Sequence, residues 1–160
     1  MTEYDPAAPV RFPRSLIACW YDGATDGFLE AEPGRHVYDF RMVAWDDGQD
    51  SRIYVLRPLP AKMDDLAAAF FGAAFQLDGW RVLMAEDPGD LSLDREYFQS
   101  TGPPAFVVLS DDCLTTVSGV LRVTGGNRAE IESWLLDEPG DQDGFSYSDL
   151  PFAHWAALFR

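Results

Sequence analysis

The cysteines and histidines of this chain, side chains suited to nucleophilic attack or to binding a soft metal, number four: Cys19, Cys113, His36 and His154. A zinc site needs such residues at short, fixed spacings, as in Cys-x-x-Cys or His-Glu-x-x-His, so that one local turn brings two ligands to one ion. No such spacing occurs, so a closed zinc site is not expected. Cys19 lies in the apolar run Ser15 to Tyr21, where a thiol packs as a small hydrophobe. Cys113 follows an Asp111-Asp112 turn, and as a nucleophile it would need a base delivered by the fold. His154 stands beside Trp155 and reads as a hydrogen-bonded histidine at the edge of a terminal helix.

The carboxylates give no sharper signal. Segments 22–27 and 46–50 are rich in Asp and Gly, but neither has the regular ligand spacing or closing glutamate of a calcium loop. Turn chemistry accounts for both. Gly125-Gly126-Asn127 opens a helical pattern whose free N–H groups suit an anion. The phosphate-loop lysine is missing and only Arg128 follows, so a capping role is the better account. No Gly-x-Ser-x-Gly elbow is present. Pairs of Asp and Glu can serve as general acid and base, yet loops full of carboxylates make such pairs by chance. No catalytic residue, metal ligand or cofactor is therefore assigned.

The elements that position these residues are read from periodicity. The strongest signal is Arg35 to Pro60, two β-rich runs around Asp46-Asp47-Gly48-Gln49-Asp50. Asp-Gly between such runs predicts a two-residue hairpin turn. Pairing then runs back through Trp45–Asp50, Val43–Arg52, Arg41–Tyr54 and Asp39–Leu56. With a period of two, Tyr38, Phe40, Met42, Ala44, Ile53 and Val55 share a core face. The other face collects Asp39, Arg41, Val43, Trp45, Arg52, Tyr54 and Leu56. This mixed face is either half-covered, with arginine stems along aromatic rings, or a contact surface, because Trp, Tyr and Arg dominate interface energetics. The apolar run from Tyr38 to Ala44 argues against a one-residue slip that would exchange the faces.

Residues 1–14 read as an arm held extended by Pro6, Pro9 and Pro13, and residues 15–160 as a single α+β domain. Ser15 to Tyr21 and Phe28 to Ala31 flank a second turn, completing a four-stranded antiparallel meander before residue 60. Lys62 to Gln76 is a predicted helix, with Asp64 and Asp65 in its first turn and a broad apolar stripe. Strands follow at Trp80–Ala85, Pro104–Ser110 and Leu114–Thr124, where Gly119 suggests a bulge. Asn127 and Glu130 resemble a capping box for a helix running to Leu136. A short helix closes the chain from Asp149 to Phe159. The expected architecture is α+β: a largely antiparallel sheet, formed by the N-terminal meander and two or three later strands, with two main helices and a short C-terminal helix on one side. The predicted core is Ile17, Phe40, Met42, Ile53, Val55, Leu66, Phe70, Val107, Leu109, Ile131 and Trp134.

Net charge is −15, from 27 acids against 12 bases, and Lys62 is the sole lysine. Such a chain repels phosphate backbones and anionic membranes, so direct nucleic-acid or membrane binding is not expected. A basic protein partner is favoured. The acids concentrate in predicted loops, among them Asp22, Asp26, Glu30 and Glu32, whereas arginines such as Arg41, Arg52 and Arg57 sit in predicted strands. No apolar stretch approaches a membrane span, and the first residues lack the basic and apolar regions of a signal peptide. Two cysteines set no disulfide pattern, so reduced thiols and a cytoplasmic location are expected. The composition is bacterial in character. These features favour a non-enzymatic protein-binding module of the immunity, antitoxin or adaptor kind. Its expected contact residues are Arg41, Trp45, Asp46, Asp47, Asp50, Arg52 and Tyr54. A small hydrolase using Cys113 or paired carboxylates, and a structural subunit of a larger assembly, are the alternatives.

Overall fold

A computed structural model describes residues 11–20, 24–32, 36–46, 48, 51–59, 81–83, 102–111, 114, 116–136 and 146–160, with the side chains at 11, 13–20, 24, 32 and 81–83 left out. The predicted helix from Lys62 to Gln76, with core residues Leu66 and Phe70, lies outside the described residues. So do Asp47, Asp50 and Cys113.

The described residues are mostly sheet. β1 (Arg11–Trp20), β2 (Ala24–Glu32), β3 (His36–Asp46), β4 (Ser51–Pro58), β5 (Arg81–Leu83), β6 (Phe106–Asp111) and β7 (Val117–Arg122) form one sheet in the order β5-β1-β2-β3-β4-β6-β7. The first four strands form the expected antiparallel meander, with β1 starting at Arg11 rather than Ser15. β6 joins β4 and β7 joins β6, both antiparallel, whereas β5 lies parallel to β1.

The central hairpin is not the one expected. Asp46 pairs with Ser51, so the loop holds residues 47–50 instead of two. Lower down, Met42 faces Tyr54 and Phe40 faces Leu56. Between these zones Met42↔Tyr54 is followed by Ala44↔Ile53, leaving Val43 as the extra residue of a β-bulge. The shift relative to the expected pairing is odd at the base of the hairpin, so it moves every β4 side chain to the other face. Phe40, Met42, Tyr54, Leu56, Phe106 and Val108 form the core on one face, with half-buried Tyr38 and Trp45 packed against it. Val43, Ala44, Ile53, Val55 and Val107 form the core on the other. Phe40 and Met42 thus do not share a face with Ile53 and Val55, as the alternation predicted.

Both faces are buried. On the first, Phe40 meets Tyr54 edge-on at 5.4 Å, and Tyr38 meets Phe106 at 5.4 Å. Such pairs add about 0.5–1.5 kcal/mol beyond the area they bury. Arg122 lies over the Phe106 ring at 5.5 Å, and desolvation lowers its pKa from the ordinary arginine value. The second face carries the short helices, α1 (Arg128–Ser133) and α2 (Phe152–Ala156), the latter running into a 3₁₀ turn at Ala157–Phe159. Ile131 of α1 and Trp155 of α2 supply buried anchors. Predicted core residues Leu109 and Trp134 are half-buried beside them.

α1 stops well short of Leu136, and the expected capping box does not form. Asn127 makes no side-chain cap; its Oδ1 accepts from the Thr124 N–H at 2.7 Å and its Nδ2 donates to the Arg122 carbonyl at 3.1 Å. The asparagine therefore closes the turn before the helix. Among the described residues no helix is long and apolar enough to cross a membrane.

Two backbone positions in the β6–β7 hairpin carry special geometry. Leu114 has φ 57° and is buried in the first core, so a left-handed leucine is held there by its apolar contacts. Gly119 sits next to a bulge where Leu109↔Gly119 is followed by Ser110↔Val117. A Cβ on Gly119 would lie 2.8 Å from Cδ1 of Phe159, so the missing side chain is what seats the terminal ring on β7. Gly119→Val should therefore destabilise the protein by about 1–3 kcal/mol in chemical denaturation. Combining it with Phe159→Ala should cost less than the sum of the two single changes. Strict additivity would mean that the ring does not rest on Gly119.

Candidate functional site

The residues expected to form a contact surface divide between the two faces. Trp45, Arg52 and Tyr54 lie on the first face, Arg41 on the second, and Asp46 at the hairpin end. Trp45 and Arg52 are direct cross-strand partners near that end. The Arg52 guanidinium stacks over the Trp45 ring at 4.5 Å, and its Nη1 donates to Met42 Sδ at 3.2 Å. Arg52 and Tyr54 are both 0% exposed, which takes them out of any solvent-facing surface. They stand beneath half-buried Trp45 as its support. At the turn, the Gly48 N–H donates to Asp46 Oδ1 at 3.2 Å, the side-chain-to-backbone bond that Asp favours in turns.

The second face holds the groups that sequence reasoning placed in loops. Asp26 and Glu30 are buried within β2. Register sets Asp26 directly opposite Arg41, and Asp39 directly opposite Arg57. Because opposed residues share a face, β2, β3 and β4 carry a stripe of alternating charge across the helix-bearing side. Within it Arg41 Nη2 lies 3.4 Å from Asp39 Oδ2, with side chains only 12% and 7% exposed. That distance is long for a charge-assisted bond, which closes to about 2.7–2.9 Å. The buried Nε of Arg41 has no hydrogen-bond partner among the described residues.

Arg41 is held in place by the segment from Ser146 to Ser148, a strap across the sheet. β2 pairs with β3 only as far as Arg41. Beyond that point the Tyr147 N–H donates to the Met42 carbonyl at 3.0 Å, and Ser146 Oγ donates to the carbonyl of the bulged Val43 at 2.8 Å. The Leu136 N–H then donates to the Tyr147 carbonyl at 2.8 Å. Ser148 Oγ accepts from Trp155 Nε1 at 3.1 Å and from the Leu150 N–H at 3.2 Å, tying the strap to α2. The Tyr147 ring lies 4.9 Å from the Arg41 guanidinium carbon.

Between strap and sheet lies a small, open crevice with room for about one water-sized group, with Asp39, Arg41 and Arg57 at its polar end and Val43, Val55, Leu135, Leu136 and Tyr147 around them. It is a concave site with convergent charged groups and apolar walls, though it is smaller than most ligand pockets. The signal that could have found it is Tyr147, an aromatic residue inside an otherwise polar stretch, since such residues seek burial. His154, read as an edge histidine, is exposed with its ring against Trp134 at 4.5 Å. Cys19 lies in β1, and His36 is exposed at the start of β3. Comparison of the chain with protein-family models, curated proteins and solved structures gives no match.

Removing one member of a largely buried ion pair leaves the charges around it less well compensated. Arg41→Met should lower stability by about 2–4 kcal/mol in urea denaturation, below the upper range for fully buried pairs because the crevice is open. Arg41→Met combined with Asp39→Asn should recover part of that loss. A loss under about 0.5 kcal/mol, typical of surface changes, would mean that the Asp39 charge is compensated without Arg41.

Proposed function

We propose that this chain is a non-enzymatic protein-binding module, of the immunity, antitoxin or adaptor kind, that engages a basic protein partner through its acidic surface. The observation that carries this reading is the net charge of −15, which steers a basic partner towards the chain over distances longer than any contact. The end of the β3–β4 hairpin is the proposed contact. Asp46 there is followed by Asp47 and Asp50 in sequence, and Trp45 lies next to it on the stacked guanidinium of Arg52. An aromatic ring on a rigid support, with carboxylates near it in the chain, suits an anchor with steering charges around it. Arg41 contributes from the other face of the same strand. Arg52 and Tyr54 act by holding Trp45 and the strand in place rather than by touching the partner. A cytoplasmic location belongs to the same proposal.

A second reading has one observation in its favour. Asp26, Glu30 and Asp39 are buried carboxylates on one sheet face beside Arg41. That arrangement is where a hydrolase using paired carboxylates would find its acid and base.

Partner capture from lysate at low salt, followed by binding kinetics, tests the first reading. Asp46→Asn with Asp47→Asn and Asp50→Asn should slow association several-fold at low ionic strength and leave dissociation nearly unchanged. The difference should fade near physiological salt, where charges beyond about 8 Å are screened. Trp45→Ala should speed dissociation and cost about 2 kcal/mol or more of affinity. Tyr54→Ala should instead lower stability, by about 3–5 kcal/mol. A partner whose affinity ignores salt, the aspartates and Trp45 alike would overturn the reading.

A further inference from the structure

We propose that the outer edge of β7 is a self-association surface, on which a second copy of this chain pairs antiparallel across a two-fold axis at Val120. It uses other residues than the partner contact proposed above. Four observations lead to it.

The first is which backbone groups β7 turns outward. β7 ends the order of the described strands, with β6 on its inner side. Just past the strand, the Val123 N–H donates inward to the Ala105 carbonyl at 2.9 Å. Backbone groups alternate sides along a strand, so Leu121 points inward with Val123, while Val120, Arg122 and Thr124 point outward. At the last two the Asn127 side chain stands in for a neighbouring strand: its Oδ1 accepts from the Thr124 N–H and its Nδ2 donates to the Arg122 carbonyl. Asn127 thus closes one end of the edge, and the bulge between Val117 and Gly119 closes the other. Between them the N–H and C=O of Val120 face outward.

The second is exposure. Val120 is exposed at 37%, the one large hydrophobic side chain so placed among the described residues. Thr116 and Ser118 are exposed beside it. An apolar side chain flanked by outward-facing backbone groups is what an added strand pairs with.

The third is charge, which selects the occupant. No Asp or Glu occurs from Cys113 to Ala129, the longest acid-free stretch in a chain of net charge −15. Two copies of so acidic a chain repel one another, and they approach most easily where neither shows a carboxylate. A foreign basic strand would find only Arg122 and Arg128 as charges in that stretch.

The fourth is self-complementarity. With the axis at Val120, each Val120 N–H donates to the carbonyl of the other Val120, and the two valines meet on one face of the joined sheet. Gly119 then stands opposite Leu121 of the second copy. Phe159, half-buried against Gly119, gives that leucine an apolar neighbour. Arg122 stands opposite Ser118, which keeps the two arginines about 13 Å apart along the strands. An isologous contact of this kind closes at two copies and does not propagate.

So short a pairing makes a transient dimer, with Kd on the order of 0.1 mM. Sedimentation velocity of the full chain from about 10 µM to 1 mM brackets that value. The sedimentation coefficient should rise with concentration to that of a dimer and stop there. Raising salt from about 0.05 to 0.5 M should tighten the dimer several-fold, because screening removes the repulsion between two acidic copies. A basic partner would respond to salt in the opposite sense, so failure of this proposal and failure of the partner reading are seen separately. Val120→Lys places like charges directly opposite each other at the axis. It should weaken the dimer at least ten-fold while the circular dichroism spectrum stays unchanged. Val120→Thr keeps the branched shape and the backbone groups, and it should retain the dimer within a few-fold. A chain that stays monomeric throughout, assembly beyond a dimer, or a dimer that Val120→Lys leaves unchanged overturns the proposal.

Discussion

The bulge at Val43 is the constraint on which the rest of this structure depends. One extra residue in β3 lets two incompatible requirements be met in a single strand. Below it, Phe40 and Met42 face Tyr54 and Leu56; above it, Trp45 returns to that same face and stacks with Arg52. At the bulge itself Val43 and Ala44 both turn to the helix-bearing face, where Ile131, Tyr147 and Trp155 cover them. The carbonyl of the bulged Val43 is also the group that accepts from Ser146 Oγ. The same irregularity that sets the register thus creates the docking point for the strap.

Polar groups in the interior follow from this arrangement. Buried charges are tolerated when neighbours compensate them, and the stripe of Asp26, Arg41, Asp39 and Arg57 does so by cross-strand alternation. Arg52 adds aromatic and sulfur contacts to its surroundings. It lies fully buried among Met42, Tyr54 and Trp45, where a ring face and a thioether sulfur receive part of its charge. The weak hydration of a guanidinium makes arginine the cation best suited to such a place. Many of the chain's acids, by contrast, stand in Asp- and Gly-rich sequence such as 46–50, a division written into the residue pattern itself.

Legibility in the sequence depended on whether the signal was local. The meander, the strand at Arg81–Leu83 and the apolar β6 announce themselves through short runs of β-branched and aromatic residues. Register does not, because it depends on an insertion whose mark is slight: the adjacent apolar pair Val43-Ala44 interrupts an otherwise strict alternation. The Asp-Gly signal points correctly to a hairpin but not to its loop length. Asp26 reads as a loop residue by its type, while its place is set by pairing with Arg41 across the sheet. Asn127 has the right identity for a cap and the wrong neighbours, since the Thr124 N–H and the Arg122 carbonyl engage its side chain. The crevice is least legible of all. Its parts come from β3, β4, the end of the α1 segment and the strap, and no window of sequence contains them together.

The bond from Ser146 to Val43 joins residues 103 positions apart. Closing a loop of that length carries an entropic cost that must be met before the contact returns any stability. The meander from β1 to β4 carries no such burden, since its pairings are between neighbours in sequence. The two parts of the molecule therefore differ in contact order: the hairpins are local, while the strap's contacts with the bulge are among the most distant in the chain. The unbulged pairing that the Asp-Gly turn invites would not offer the same carbonyl to the strap. The strap thus weighs on the choice between two registers of one hairpin, because its bonds to Met42 and Val43 are made to the bulged strand.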